Sequence, residues 1–226
     1  STRIGAENYL RRAWTPHAVS LRILNWCRYY ALRARDADDA FLQRLHRLIY
    51  KNASFLSRHV EHDVGGNHLI ENAIALVMAG VFFADDDLLE SGLTLFEAES
   101  EQFLPDGGHF ERSPMYHILT LTRYLTALDV LQASGHRPPQ TLVQTARRGR
   151  DFLAALRPPD GQIPLLNDAV FGEALPLEGC LAYTNGVECI QDTDAVDDGV
   201  SRDALSTSGY YWLGTGDDRL LVDGGP

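Results

Sequence analysis

The sequence predicts a mainly α-helical protein that ends in the first strands of an antiparallel β domain. Over the first two-thirds of the 226 residues, apolar side chains recur at the three- and four-residue spacing of α-helices. Some of these stretches are apolar all round and others on one side only, which indicates two helical layers, one enclosed by the other. We therefore expect an (α/α) toroid-type domain, here partial. A generic helical bundle would show the same periodicity and stays open as the alternative.

Six helices are predicted in succession, followed by a short seventh. Pro16 marks the start of the first, because proline is favoured in the first helical turn. The aspartates within residues 36–39 supply the negative charge that helix starts prefer. Ser113 and Pro114 form another typical start. After the first helix, the others are predicted over about residues 38–59, 66–83, 86–103, 114–133, 140–156 and 177–183.

The last third of the chain changes character and ends in a predicted β-hairpin. Residues 157–172 are rich in proline and glycine and are predicted to be loop, whereas residues 191–203 are acidic. Residues 208–225 then favour two strands joined by a turn at 216–218. Because a lone hairpin is marginally stable, we expect the chain to stop inside a truncated β-sandwich. The predicted domains are residues 1–190, helical, and residues 191–226, a linker and the start of the β domain.

The charge balance limits the classes of partner. The formal net charge of −11 argues against nucleic acid, which requires a broadly basic face. Lys51 is the single lysine, and arginine favours bidentate contacts with carboxylate or sulfate groups. A GC-rich genome would produce the same arginine bias. A local group of arginines can still hold an acidic ligand inside an acidic protein.

Neither a membrane span nor a cofactor is expected. The longest apolar run, residues 73–83, is shorter than the roughly 18 residues that a span needs. The histidines show no HxxxH pair and the three cysteines no metal or redox spacing, so no metal is predicted. Cys27 is expected in the core, and a bridge between Cys180 and Cys189 stays open. No leader precedes Ser1, which a processed start would also produce. Oligomeric state and compartment stay open, with a periplasmic or secreted location favoured over the cytoplasm.

The segment GGNHLIENA, residues 65–73, places polar side chains in the first turns of an otherwise apolar helix. A buried helix start offers free backbone N–H groups and partial positive charge, which suit a carboxylate. Asn67 and Glu71 share a helix face, and His68 lies three residues before Glu71. A structural reading, in which Asn67 simply caps the helix, stays open.

The segment PDGGHFERSPMYH, residues 105–117, concentrates ionisable side chains in a loop and a first helical turn. A tyrosine beside an arginine can serve as a base. Two histidines, an arginine and a tyrosine within nine residues are unusual for packing alone, although a glycine-closed loop with a half-buried tyrosine stays open. The candidates are His109, Glu111, Arg112, Tyr116 and His117, with Thr120 and Arg123 continuing the helical stripe of Tyr116.

A third polar pair, Asn167 and Asp168, follows two leucines in the segment GQIPLLNDAVFG, residues 161–172. These side chains could line a cleft. We favour the simpler interpretation, an Asx turn, because asparagine and aspartate commonly bond their own backbone in turns.

Several of these blocks resemble the heparinase II/III-like polysaccharide lyases, in matching order and over most of the chain. The NH pair of residues 67–68 and the ERSPMYH block are the most specific. The resemblance implies an α/α toroid followed by an antiparallel β-sandwich, in a family of bacterial enzymes that includes heparin, heparan and alginate lyases. The matching blocks are WTPHAVSLRILNW (14–26), GGNHLIENAIALVMAG (65–80), DGGHFERSPMYH (106–117), GQIPLLNDAVFG (161–172) and LLVDGGP (220–226).

The family's pattern implies roles for the matching residues. Asn67 resembles the asparagine that binds and neutralises the uronate carboxylate. His68 resembles the neighbouring histidine that is a candidate for proton abstraction, and Tyr116 the tyrosine that acts as base, or as acid toward the leaving oxygen. The implied supporting and substrate-binding residues are Glu71, His109, Glu111, Arg112, His117 and Arg123. The family also uses a histidine or tyrosine of the β domain, so this chain alone is expected to be catalytically incomplete.

The expected function is β-elimination at a uronic acid of an acidic polysaccharide. The C5 proton of a uronate becomes removable when hydrogen bonds and a positive helix end neutralise the carboxylate. A base then takes the proton and an acid protonates the departing oxygen, with no metal required. The alternatives are a uronate epimerase, a non-catalytic carbohydrate-binding homologue, and a hydrolase that uses Glu111 and Asp168 as paired carboxylates.

Overall fold

The structure, a computed structural model, describes residues 13–191, 204–215 and 218–225. The chain divides into two compact units, of which the first contains residues 1–99 with 133–135 and the second contains 100–132 with 136–226. The predicted domain boundary at residue 190 adjoins residues 192–203, outside the described ranges, and stays a prediction.

Four helices form the described part of the first unit. They are α1 (Pro16–Arg33), α2 (Asp39–Leu56), α3 (Gly66–Phe83) and α4 (Asp86–Ala98). Asp38 and Asp85 cap α2 and α4, since their carboxylates accept hydrogen bonds from the backbone N–H groups of Phe41 and Leu88. Helix α3 contacts the other three helices and lies at the centre of the unit.

Helix α3 is buried on nearly all sides, as its continuous apolar sequence predicts. Its residues from Leu69 to Val77 are all buried, including the polar Glu71 and Asn72. By length and composition α3 could cross a membrane, but 61% of its apolar window is buried inside the protein, which is typical of a core helix. Gly92 of α4 permits a close approach, because a Cβ there would lie only 2.7 Å from the Ala73 carbonyl oxygen.

The second unit combines helices with a small sheet. Its helices are α5 (Pro114–Ala133), α6 (Gln140–Leu156) and α7 (Leu177–Gly186), and its strands are β1 (Ala204–Leu205), β2 (Tyr210–Thr215) and β3 (Asp218–Asp223). The strands form an antiparallel sheet in the order β1-β2-β3. The sheet packs on α6 through a buried cluster of Phe152, Leu156, Leu205 and Tyr210. Trp212 of β2 also donates a 3.0 Å hydrogen bond to the Ala155 carbonyl.

Some predicted boundaries need correction. Helix α4 ends at Ala98 instead of Phe103, and residues 99–102 form a 3₁₀ turn. The backbone of Phe103 instead pairs with that of His109. The predicted hairpin is present as β2 and β3, with residues 216 and 217 of its turn outside the described ranges. The sequence did not predict β1. Cys27 is buried, as expected, and Cys180 and Cys189 are free thiols, not a disulfide.

Candidate functional site

The start of α3 is shaped by two glycines in the left-handed region. Gly65 is the N-cap residue with φ 72°, and Gly66 follows with φ 57°, a conformation that glycine adopts without steric cost. Asn67 is therefore the second residue of the helix, and the alternative in which it caps α3 is wrong. Its side chain is half-buried and forms no hydrogen bond within the described part of the chain. The Asn67 amide thus lies at a helix start that no N-cap side chain covers.

His68, the next residue, contacts an acidic side chain that the sequence did not single out. Its Nδ1 atom lies 3.2 Å from Oε2 of Glu61, in the loop between α2 and α3. The side chain of His68 is 35% exposed and that of Glu61 is 13% exposed. The ring of His17, on α1, lies 4.6 Å from the His68 ring between centroids. The first unit therefore contains a half-buried histidine that is held by a carboxylate.

A buried asparagine fixes the loop that carries Glu61. The side-chain oxygen of Asn72 accepts a 3.0 Å hydrogen bond from the Glu61 backbone N–H. Its amide nitrogen donates a 3.1 Å hydrogen bond to the Ser20 hydroxyl, which in turn donates a 2.9 Å hydrogen bond to the Pro16 carbonyl. Both ends of the Asn72 amide are used, and the residue is fully buried. This network connects α1, α3 and the loop, and Glu71 lies beside it on α3, also buried.

The loop before α5 is a tight hairpin that carries the second group of candidates. Leu104 donates its N–H to the Gly108 carbonyl at 2.8 Å, and Phe110 donates to the Gln102 carbonyl at 2.8 Å. A side chain at Gly108 would collide with Ser208 and Phe152, so the sequence requires glycine there. The hairpin thus turns the chain tightly before the helix that bears Tyr116.

Both histidines of this segment are buried. His109 is 2% exposed and its Nε2 lies 3.2 Å from Oε1 of Gln102. His117 is 1% exposed and its Nε2 lies 2.9 Å from the Gly149 carbonyl of α6. Burial and, to a smaller extent, the neighbouring His117 ring together lower the pKa of His109 to about 3. Burial also lowers the pKa of His117 to about 4, against the opposing effects of the Gly149 hydrogen bond and Asp106. Both rings are therefore neutral at physiological pH.

The residue between this hairpin and α5, Arg112, is held by distant parts of the second unit. Its backbone has φ 53°, unusual for a residue with a side chain. The Asn167 amide donates a 2.6 Å hydrogen bond to the Arg112 carbonyl oxygen and a 3.1 Å hydrogen bond to the Asp223 carboxylate of β3. The buried Tyr210 hydroxyl of β2 donates to the same carbonyl. Burial and the Asp223 charge raise the pKa of Tyr210 to about 12, so its hydroxyl stays a donor.

Asp106, in the hairpin, also connects to the sheet region. One carboxylate oxygen accepts a 2.6 Å hydrogen bond from the Ser208 backbone N–H, and the other accepts a 2.9 Å hydrogen bond from the Ser208 hydroxyl. The hairpin and the Arg112 junction are thus both attached to residues 204–225 of the same unit.

Tyr116 lies in the first turn of α5 and is half-buried. Its backbone N–H donates a 3.4 Å hydrogen bond to the Ser113 hydroxyl, as expected for an N-cap. Its side chain makes no hydrogen bond within the described ranges. Arg123 lies two turns along the same helix and is half-buried, whereas Glu111 is exposed in the preceding loop.

The structure therefore brings the candidates together in two groups, one in each unit. The first unit holds Asn67, His68 and Glu71 at the start of α3. The second unit holds His109, Glu111, Arg112, Tyr116, His117 and Arg123 around the start of α5. Within the described ranges, no group of three or more His, Cys, Asp or Glu residues could hold a metal ion.

Sequence reasoning missed several residues that support these groups. They are His17, Glu61, Asp106, Tyr210 and Asp223. The turn predicted at Asn167 is present, since the Ala169 N–H bonds to the Leu166 carbonyl at 3.2 Å. The Asn167 side chain, however, contacts Arg112 and Asp223 and does not close a local Asx turn. Asp223 lies in the LLVDGGP block of the family resemblance, but no local pattern predicts its contact with Asn167.

Two known proteins with related sequences are heparin-sulfate lyases. A heparin-sulfate lyase of Bacteroides stercoris is 31% identical over 177 residues, which cover 70% of this chain and 25% of that protein. A heparin-sulfate lyase of Pedobacter heparinus is 27% identical over 165 residues, covering 69% and 25%. The chain thus spans about a quarter of the length of these relatives.

Solved structures agree on the fold. The heparan sulfate lyase HepC of Pedobacter heparinus matches 96% of this chain and 37% of its own, with a TM-score of 0.66 and 22% identity, a likeness of fold. A heparinase III structure matches 71% of this chain and 26% of its own, with a TM-score of 0.61 and 27% identity. The expected fold class, a mainly helical toroid-type domain followed by antiparallel strands, is confirmed.

The sequence profile of the family described as Heparinase II/III N-terminus matches residues 4–186. This match includes all seven of these helices completely, and it ends at Gly186, the last residue of α7. It also includes both of the polar segments that carry the candidate residues, at the starts of α3 and α5. The chain therefore belongs to the heparinase II/III N-terminus family.

Proposed function

We propose that the protein containing this chain is a polysaccharide lyase, which cleaves a uronic-acid-containing polysaccharide by β-elimination. The observation that carries the proposal is the start of α3, where the Asn67 amide and the His68 ring are half-buried next to a helix end whose N-cap residue, Gly65, has no side chain. Family membership and the two heparin-sulfate lyase relatives support the same chemistry. We further propose a sulfated, heparin-sulfate type of chain as the first substrate class to test.

In this proposal Asn67 binds the uronate carboxylate. The amide N–H₂ group donates to the carboxylate while the partial positive charge at the start of α3 offsets its negative charge. Both effects grow in strength as the enolate forms, because the charge on the carboxyl oxygens increases in the transition state. This is what makes the C5 proton removable at moderate pH.

His68 and Tyr116 perform the proton transfers. His68 takes the C5 proton, and Tyr116 gives its phenolic proton to the glycosidic oxygen that leaves C4. When the C5 proton and the leaving oxygen lie on one face of the sugar, Tyr116 performs both steps. The C5–H electron pair becomes the C4–C5 double bond as the C4–O bond breaks. Arg112, Glu111 and Arg123 serve to bind the acidic chain, and Glu71 supports the start of α3. The buried His109 and His117 keep the α5 start in place.

The decisive experiment uses the full-length protein and a panel of uronic-acid polymers. A lyase produces an unsaturated uronate that absorbs ultraviolet light. Solvent deuterium incorporated without chain cleavage would instead identify an epimerase, and a saturated product a hydrolase. Binding without any turnover would identify a carbohydrate-binding protein. Each of these three results overturns the proposal.

Tyr116→Phe tests the proton transfer directly. The phenyl ring fills the same space but has no proton to transfer, so we expect turnover to fall by about 10²-fold or more with little change in binding. Tyr50→Phe is the matched control, because Tyr50 is 50% exposed on α2 and has no assigned role. Normal turnover in Tyr116→Phe would remove the phenol from the mechanism.

Asn67→Ala tests the carboxylate site. Loss of one preorganised donor typically costs roughly 10²- to 10³-fold in kcat, and we expect a loss in this range. Asn25→Ala, at an exposed position of α1, should leave the rate unchanged. If both variants turn over normally, Asn67 does not neutralise the substrate. If Asn67 and Tyr116 serve one reaction, the double variant should lose less than the product of the two single losses.

A further inference from the structure

The contact between His68 and Glu61 defines which nitrogen of the histidine is basic. We infer that Glu61 is a positioning residue that keeps the proton of neutral His68 on Nδ1 and so presents Nε2 as the proton acceptor. The inference rests on the proposed function insofar as His68 is the group that takes the C5 proton. It adds a residue that neither the family match nor the sequence pattern assigns to the reaction.

The first step is a count of protons. A carboxylate has no hydrogen to donate, so the 3.2 Å contact between Nδ1 and Oε2 is a hydrogen bond only when Nδ1 carries the hydrogen. A neutral imidazole carries one N–H, and Nε2 is then the bare nitrogen. Within the described ranges His68 makes no other hydrogen bond, so no hydrogen bond occupies Nε2.

The second step is the reaction itself. When Nε2 takes the C5 proton, the ring becomes an imidazolium, with N–H groups on both nitrogens. Glu61 lies against this new positive charge and stabilises it, while remaining a carboxylate throughout. The proton passes from C5 to Nε2, and solvent removes it after the product leaves. Partial burial of Glu61, at 13% exposure, strengthens this interaction relative to a surface ion pair.

The third step is that Glu61 is itself held in place. Its backbone N–H bonds to the buried Asn72 side chain on α3. Its carbonyl accepts hydrogen bonds of 3.2 Å from the Val64 N–H and 3.1 Å from the Gly65 N–H, and Gly65 is the N-cap of the same helix. A loop residue is thus attached to α3 from both sides of its peptide. A purely solvent-facing ion pair would not require the fully buried Asn72 beneath it.

The tautomer can be observed without any activity. In the full-length protein with ¹⁵N-labelled histidine, long-range ¹H–¹⁵N spectra at about pH 8.5, roughly two units above the ordinary pKa of histidine, should show His68 protonated on Nδ1. Glu61→Ala should transfer the hydrogen to Nε2, the form that free histidine prefers. Glu97→Ala, at an exposed position of α4, should leave the spectrum unchanged. A wild-type ring with its hydrogen on Nε2, or a spectrum insensitive to Glu61→Ala, overturns the inference.

The kinetic test asks whether Glu61 acts through His68. Glu61→Gln should lower kcat by about 10²-fold or more with little change in KM, as expected when a general base loses its orienting carboxylate. In a His68→Gln background the same change should have no further effect. If the kcat losses of Glu61→Gln and His68→Gln multiply in the double variant, the inference is overturned, because Glu61 then acts independently of His68. Normal turnover of His68→Gln alone would overturn the proposed function of His68, whereas the tautomer result would still stand.

Discussion

At the residue scale, the two buried histidines make the stability of the second unit depend on pH. Their pKa values, about 3 for His109 and about 4 for His117, lie below the ordinary 6.5 because burial disfavours the charged ring. Between pH 6.5 and these values, the unfolded chain therefore binds more protons than the folded chain. The stabilisation is fully present above pH 6.5, and it is lost as the pH falls toward 4 and then 3.

The expected slope can be measured by urea denaturation at several pH values. Each ring contributes up to about 1.4 kcal/mol per pH unit within its window. His117→Gln retains a donor for the Gly149 carbonyl but does not titrate, so its unfolding free energy should decline less steeply below pH 6. His62→Gln, at an exposed position, should retain the wild-type slope. An unchanged slope in His117→Gln would contradict the assignment.

Asn167 combines a left-handed backbone with two tertiary hydrogen bonds. Asn167→Gly keeps φ 52° accessible and loses only the bonds to Arg112 and Asp223, which we expect to cost about 1 kcal/mol because the site is exposed. Asn167→Ala should cost roughly 1 kcal/mol more, since a Cβ disfavours this backbone region. Asp168→Ala, next to it and exposed, should change stability by less than about 0.5 kcal/mol. Thermal or urea unfolding decides, and an alanine variant as stable as the glycine variant would be evidence against strain.

At the element scale, the packing of α4 on α3 depends on the missing side chain at Gly92. A Cβ there would lie 2.7 Å from the Ala73 carbonyl oxygen and 2.7 Å from the Val77 backbone nitrogen. Because these are backbone atoms of a buried helix, they cannot rotate away, and the two helices must separate. We expect Gly92→Ala to destabilise the fold by about 1–3 kcal/mol, although alanine is the better helix former.

Gly179 provides the matched control for this substitution. It lies inside α7, and a Cβ there would have its nearest neighbour at 3.7 Å, an ordinary contact. Gly179→Ala should therefore leave stability unchanged or raise it by up to about 1 kcal/mol. If Gly92→Ala also unfolds at the same denaturant concentration as the wild-type protein, α3 and α4 are not in close backbone contact.

Helix starts could be predicted from the sequence, whereas some ends and short strands could not. Pro16 and Pro114 mark starts because their fixed φ and missing N–H are local properties. The end of α4 is not local. Phe103 continues the apolar pattern, but its backbone pairs with His109, and its ring packs near Gly149 of α6. The strand Ala204–Leu205 is too short to produce any alternation.

At the scale of the whole molecule, the candidate residues could be named from the sequence, whereas the contacts that support them could not. Asn67 and His68 are adjacent in sequence, so their shared helix turn follows from periodicity alone. The bond from Tyr210 to the Arg112 carbonyl joins residues 98 positions apart, and no local pattern predicts it. Residue type also misleads: the sequence analysis names His109 as a substrate-binding candidate, yet its side chain is 2% exposed.

Positive charge is concentrated near the start of the described chain, which is relevant to the binding of an acidic substrate. The chain carries a net charge of −11, yet residues 13–60 contain eight Arg or Lys and three Asp. Arg44, Arg47 and Lys51 recur on one face of α2, are exposed, and form no ion pair within the described ranges. This face is a local positive surface on an acidic protein, and it should attract polyanions at low salt.

Under the proposed function, replacing Arg44 and Arg47 by glutamine should weaken binding to a sulfated uronate polymer several-fold at about 50 mM salt. The difference from wild type should shrink as salt rises, because fewer counterions are released on binding. The control is the pair Arg137→Gln and Arg148→Gln, which removes the same charge from exposed positions of the second unit. Net charge alone would make both double variants equally weak. A uniform field does not distinguish where a charge is removed. A stronger effect of the α2 double variant, measured as a smaller slope of log affinity against log salt, therefore indicates that the polymer contacts this face.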